Sequence, residues 1–269
     1  MERRTPIVTT FSILGLLLFA RVLSADHPGT APQNEFRWQG GIAAGKALEI
    51  KGVNGNVRAE ASSDGQVQVT ATKHGRRQDP KSVEIRVVEH DNGVTICAVY
   101  PSDSSRPNEC VPGEGGRMNV RNNDVSVDFS VRIPAGVRFV GRTVNGQVEA
   151  TELGAEVEAH TVNGNIHLAT SGYAHGKTVN GSISASLGSF DWTQPVEFET
   201  VNGSITLDLP AAASALFEAE TVNGNISTDF PLTVQGKLNR HHVSGTIGGG
   251  GRQLLLKTVN GSIELRRGH

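Results

Sequence analysis

Two pairs of glutamates, Glu197 with Glu199 and Glu218 with Glu220, are the residues of this chain most suited to chemistry. Spacing by two puts both carboxylates of a pair on one face of a strand. On adjacent strands the four would form an oxygen cluster able to hold Ca²⁺, which takes about six to eight oxygens. They would equally supply an acid and a base for glycoside cleavage. Simple alternation also puts Glu at exposed strand positions with no further purpose, and the chain has no Asp-rich calcium repeat. A solvated, charge-laced face is therefore the stronger reading. His160, His167, His175 and His241-His242 are weak candidates for a metal: His167 lies across its turn from His160, and no H-E-x-x-H occurs. The run Gly248–Gly251 lacks the Lys-Ser/Thr and the helix of a phosphate loop. No catalytic residue, metal site or cofactor is expected. Trp192, beside Phe190 in the loop Gly188–Pro195, suits either stacking on a sugar or tucking over the core.

The elements that would position these side chains come from a repeat. Thr-Val-Asn-Gly-x-Ile/Val recurs with its Asn at Asn145, Asn163, Asn180, Asn202, Asn223 and Asn260; a degenerate copy is His242-Val-Ser-Gly245, and an early outlier is Gly52-Val-Asn-Gly55. From Asn145 the steps are 18, 17, 22, 21, 21 to Ser244 and 16 residues. A period near 20 with elastic length marks a repeat array. Around each Asn-Gly turn apolar and polar residues alternate, as in Val196, Phe198, Thr200 and then Ile205, Leu207, Leu209. That is a strand pattern with one buried face.

Asn-Gly between alternating strands is also a hairpin signal, so an antiparallel meander competes. A single-stranded parallel β-helix, a β-solenoid of about seven coils, is preferred on physical grounds. Coils stacked about 4.8 Å apart reward identical neighbours, since Thr, Val, Asn and Ile pack in columns and Asn amides can bond up a ladder. Stacked in sequence order, Lys177 would neighbour Glu199, and Glu220 would neighbour His241. A membrane barrel is rejected because the outward parity carries Lys177, Lys257 and the four glutamates. The Val column (Val144, Val162, Val179, Val201, Val222, Val243, Val259) points outward by parity; exposed, it would form an apolar ridge of the kind that marks a binding surface, and turned inward by the corner it would belong to the core.

Composition agrees. Gly is 32 of 269 residues and aromatics are 5%, which suits many short strands and turns. The net charge is −2, which argues against a nucleic-acid binder with its basic stripe. Residues 1–25 read as a signal peptide, with Arg3-Arg4, an apolar run Phe11–Ala20 and small residues at Ser24-Ala25. No second long apolar run follows, so no transmembrane segment is expected in the mature chain. An oxidising compartment makes Cys97 and Cys110 a disulfide pair.

The exported leader, a β region with a Cys pair and tandem T-V-N-G-[SN]-I coils together resemble a bacterial family labelled adhesin, domain of unknown function 4097. The resemblance spans roughly residues 36–267. It implies a right-handed single-stranded parallel β-helix, exported or envelope-associated, with no established catalytic residue. The expected organisation is a signal peptide at 1–25, a flexible segment at 26–35, a strand-rich N-terminal cap at 36–133 and repeats at 134–269. The expected function is non-enzymatic: a periplasmic or cell-surface protein offering Val179, Val201, Val222, Trp192, Glu199 and Glu220 to an envelope glycan or a protein partner. The alternative is a polysaccharide-active hydrolase or lyase using the outward glutamates.

Overall fold

Period-two alternation drives the chain into short strands, because a strand shows successive side chains to opposite faces. In strand Ile205–Pro210 the apolar Ile205, Leu207 and Leu209 are buried, and Thr206 and Asp208 between them face outward. The computed structural model describes residues 34–189, 192, 194–234 and 239–268. Among these the protein is all-β, and Pro80–Ser82 is the only helical turn. The leader at 1–25, most of segment 26–35, and Phe190 lie outside the described residues. No helix among the described residues is long and apolar enough to cross a membrane.

The strands form two sheets of ten and eleven, mostly parallel. Seven strand pairs share one plan: a strand in the second sheet, a Val-Asn-Gly corner, then a strand in the first sheet. Around Asn180 these are Ala174–Lys177 and Ile183–Leu187; around Asn202 they are Val196–Glu199 and Ile205–Pro210. Equivalent residues lie side by side, as in Ile166, Ile183, Ile205 and Ile263, or Val157, Ala174, Val196 and Leu254. Their apolar side chains join one hydrophobic cluster between the sheets.

The Asn54 pair, Ala47–Lys51 and Val57–Ser62, stacks directly on the Asn145 pair although most of the cap separates them in sequence. On its other side Ser126–Pro134 runs parallel to Val57–Ser62, followed outward by antiparallel Val67–His74 and Glu35–Gly40. The second sheet ends in the hairpin Glu84–His90 and Gly93–Val99, joined at Asp91-Asn92.

Stacking in sequence order holds from Asn145 to Asn202 and then fails. The C-terminal pair, Gln253–Asn260 with Ile263–Gly268, inserts between the Asn202 pair and the Asn223 pair. Two expectations fall with it. Leu255 and Lys257 separate Glu197 and Glu199 from Glu218 and Glu220, so the four carboxylates form no common patch. The degenerate copy is not a stacked repeat. Lacking both the Thr hydroxyl and the Asn amide, His242–Ile247 runs antiparallel along Ala215–Asn223 and covers that edge. Glu220 therefore stands between Lys257 and His242 rather than beside His241, and Val243 leaves the outward column to pack on the core.

Candidate functional site

The repeat motif builds a corner, and each of its residues has a separate physical task. The Thr side chain points inward. Thr161, Thr178, Thr200, Thr258 and Thr221 are buried and donate their hydroxyls to the carbonyls of Gly146, Gly164, Gly181, Gly203 and Gly261 at 2.8–3.0 Å. A buried hydroxyl needs such a partner. The Asn amide points along the stack: Asn145 donates to Asn54, Asn163 to Asn145, Asn180 to Asn163, Asn202 to Asn180, Asn260 to Asn202 and Asn223 to Asn260, all at 2.7–2.8 Å. The Gly is required by close approach rather than by an unusual turn. A Cβ on Gly164, Gly181, Gly203 or Gly261 would lie 1.9–2.0 Å from the carbonyl oxygen of the neighbouring corner's Gly.

The Val is left outside. Val144, Val162, Val179, Val201 and Val259 are 37–39% exposed and Val222 is 57% exposed. Together Val179, Val201, Val259 and Val222 form one wall of a groove of about 330 Å³, with Lys177, Glu199, Lys257 and Glu220 along the other. Lys177 and Glu199 form an ion pair, as their stacking predicts, and the hydrogen bond to Glu199 raises the Lys177 pKa.

Residues 142–266 match the Toastrack DUF4097 family. The solved structures to which the chain is similar include three bacterial proteins carrying the designation "putative" adhesin or cell adhesion protein. That from Clostridium sporogenes is 13% identical, with 87% of this chain and 100% of that chain covered, at a TM-score of 0.48. That from Bacteroides fragilis is 15% identical, with 87% and 98% covered and a TM-score of 0.37. That from Parabacteroides distasonis is 11% identical, with 86% and 96% covered and a TM-score of 0.33. No curated protein matches the chain.

The matched residues, 142–266, contain every corner from Asn145 to Asn260, and the whole groove. Of the binding residues read from the sequence, the structure brings Val179, Val201, Val222, Glu199 and Glu220 to this one surface. Trp192 is not among them. It is 6% exposed, packs in the core cluster and donates its indole N–H to the Ser189 carbonyl at 2.9 Å. Burying an indole while satisfying its one donor is the stable arrangement.

Glu197 and Glu199 titrate unequally. The hydrogen bond with Glu199 raises the Glu197 pKa; for Glu199, burial acts upward but is outweighed by hydrogen bonds from Lys177 and Glu197. Such a pair can in principle offer one proton and accept another. Only Glu199 lines the groove, so the pair does not converge on one concave space.

A polar network on the same sheet escaped the sequence reading. Glu49 is 5% exposed, and its carboxylate accepts hydrogen bonds from Thr95 Oγ1, Gly113 N and Arg142 Nε at 2.9–3.1 Å. Arg142 also donates to Glu158 at 2.7 Å, and Glu158 hydrogen-bonds the His160 ring. His160 lies 5.9 Å from the His175 ring, whose pKa is lowered chiefly by burial. Nothing in the alternation around Ala47-Leu-Glu-Ile50 marks Glu49 as buried; the only signal is that its strand neighbours carry Arg142 and Thr95.

The His160 hydrogen bond, with Arg142 alongside, holds the Glu158 carboxyl at about 2 despite partial burial, against an ordinary value near 4.5. A carboxyl depressed in the folded state adds stability above its unfolded pKa and loses it as pH falls toward the folded one. Stability should therefore decline from about pH 4.5 downward, and Glu158→Gln should remove about 1 kcal/mol at neutral pH, the group being partly solvent-screened. Urea midpoints for both proteins at pH 7, 5, 4 and 3 check this. Parallel curves would show that Glu158 carries none of the acid sensitivity.

Proposed function

We propose that the protein is an exported, non-enzymatic, adhesin-like single-stranded parallel β-helix. In this reading seven coils stand behind an N-terminal cap and present the Toastrack groove to an envelope glycan or a protein partner. The observation that carries it is the outward Val column. Stacking like on like explains why the corners share one residue type, but it leaves each of these Val side chains more than a third exposed, where a polar β-branched residue would stack as well. Exposed apolar residues aligned in a groove with a charged wall are what a binding face requires. Val179, Val201 and Val222 supply apolar contact, and Glu199 and Glu220 with Lys177 and Lys257 supply orientation. Export rests on the leader pattern and on the bridge between Cys97 and Cys110, a bond that persists in oxidising compartments. The destination is the periplasm or the cell surface.

Co-sedimentation of the purified protein with insoluble polysaccharides, peptidoglycan included, tests the reading when released reducing ends are scored in the same tubes. The expected result is pelleting without release. The double variant Val179→Lys/Val201→Lys should keep its fold and bind at least tenfold more weakly, since each half-exposed Val contributes roughly 1 kcal/mol on burial. Release of reducing ends abolished by Glu197→Gln or Glu199→Gln would overturn the non-enzymatic reading. Unchanged pelleting by the double variant would remove the groove from it.

A further inference from the structure

The cap carries a feature that the groove does not explain. Between strands Gly93–Val99 and Ser126–Pro134 the chain makes a long excursion without strands, yet it is tied at several points. The Cys97–Cys110 disulfide holds one side of it, with its Cα atoms 5.7 Å apart. Asn108, 3% exposed, acts as an internal clamp: its amide donates to the Tyr100 and Asn119 carbonyls, each at 2.9 Å, and its side-chain oxygen accepts from Asn119 N at 2.7 Å. Glu109 N donates to the Arg117 carbonyl at 2.9 Å. The outgoing and returning stretches are thereby fixed side by side, and a cleft of about 470 Å³ opens between them.

Arg106, Arg117 and Arg121 all line this cleft, with Ser102, Ser105 and Asn119. None of the three guanidinium groups has an ion-pair or hydrogen-bond partner among the described residues; Arg58, Arg86, Arg138, Arg142 and Arg266 are paired, and exposed Arg76, Arg132, Arg240 and Arg252 are unpaired too, so what sets these three apart is that they line one concavity. The one carboxylate in the cleft, Asp103, is turned to its own loop, where it accepts from Ser105 N at 3.2 Å. Three unpaired cations converging in one concavity repel one another and cost stability unless they serve a ligand. In a chain of net charge −2 the concentration is local. A separate cleft of about 620 Å³ is lined by Arg76, Arg77, Gln78, Asn122, Asn123 and Asp124. Asn122, which follows Arg121 in the chain, has a left-handed conformation, φ 51°.

We propose that this arginine cleft is a second binding site, for the sulfate or carboxylate groups of an acidic polysaccharide. A guanidinium fork matches both oxyanions in bidentate fashion, and the Ser hydroxyls and Asn amide suit neighbouring sugar hydroxyls. No aromatic ring lines the cleft, as stacking on a nucleobase would need, and no large apolar side chain stands there to enter a bilayer. The ties through Cys110 and Asn108 fix the loop before binding, so little ordering cost is left for the ligand to offset. The site is separate from the valine groove in place and in ligand chemistry.

The test measures binding of the full protein to heparin, to polygalacturonate and to neutral dextran by titration calorimetry at two salt concentrations. Heparin or polygalacturonate should bind, weakening with salt, and dextran should not; the stronger of the two assigns sulfate or carboxylate. The triple variant Arg106→Gln/Arg117→Gln/Arg121→Gln removes exposed, unpartnered groups and should melt like the parent, with affinity reduced at least tenfold. The control Arg240→Gln/Arg252→Gln/Arg267→Gln removes equal charge elsewhere and should bind as the parent does. No binding to either polyanion, equal losses in both triple variants, or tighter binding to phosphatidylglycerol vesicles than to either polyanion would overturn the proposal. Val179→Lys/Val201→Lys should leave heparin or polygalacturonate binding intact, so failure here and failure of the groove are read separately.

Discussion

Gly181→Ala is expected to destabilise the protein by about 3 kcal/mol or more, at the upper end of what overpacking a core does. The added methyl would lie 1.9 Å from the Gly164 carbonyl oxygen, and that oxygen already accepts the Thr178 hydroxyl at 3.0 Å. Neither group can retreat. Gly181 N is bonded to the Asn202 carbonyl at 2.9 Å, and the Asn180 and Asn163 amides are bonded beside it at 2.8 Å. Relieving the overlap means parting two coils by more than an ångström, which breaks the Thr bond, the Asn bond and the backbone bonds of that corner together. Against a typical total of about 5–15 kcal/mol, the variant should melt far below the parent or fail to accumulate. Gly41, with open space around its Cβ direction, is the control, and Gly41→Ala should stay within about 0.5 kcal/mol. Thermal unfolding followed by circular dichroism separates the two. A Gly181→Ala midpoint equal to that of Gly41→Ala would show that the corners do not touch through their glycines.

The second large effect concerns the C-terminus. Ending the chain at Gly251 removes Leu254, Leu256, Ile263 and Leu265, all fully buried. Each is worth roughly 1.5–3 kcal/mol on burial, so the sum rivals the stability of a whole domain. In a stack built in sequence order the loss would fray only the last coil. Here it empties a place inside the stack: Leu254 lies between Val196 and Phe217, and Ile263 between Ile205 and Ile226. The Asn223 pair and the edge strand His242–Ile247 paired to it then have nothing to rest on. Hydrogen exchange should show protection lost over residues 215–247 while the coils from Asn145 to Asn180 keep theirs, and a peptide of residues 252–268 added in trans should restore it. Retained protection over Ala215–Asn223 in the shortened chain would mean that the two pairs can close on each other.

That insertion is also where sequence reading stopped working, and the cause is physical. The all-β character, the alternating strands and the Asn and Thr columns were legible because each corner repeats the same side-chain tasks. Identity of the corners is what hides their order: a coil ending in Thr-Val-Asn-Gly stacks equally well on any other. The discriminating signal lay in the charges. Sequence order would have set Glu199 beside Glu220 and Glu197 beside Glu218, two like-charge contacts that destabilise neighbouring strands. The observed order places Lys257 and Leu255 between them. The arginine cleft and the buried Glu49 were illegible for another reason. They depend on where a strandless loop is tied down, and the clamp residue Asn108 looks like any other loop asparagine until its three bonds are seen.

The Asn ladder points one way. Each amide donates toward the cap, from Asn223 through Asn260, Asn202, Asn180, Asn163 and Asn145 to Asn54. The Thr hydroxyls do the same, each reaching the Gly carbonyl of the coil nearer the cap. Dipoles joined head to tail add, as peptide units do along a helix, and each bond polarises the next. The ladder therefore has an electrical sense: its donor end at Asn54 faces the arginine-bearing cap, and its acceptor end at Asn223 adjoins Glu218 and Glu220. An anionic surface would attract the donor end of such a ladder and repel the acceptor end.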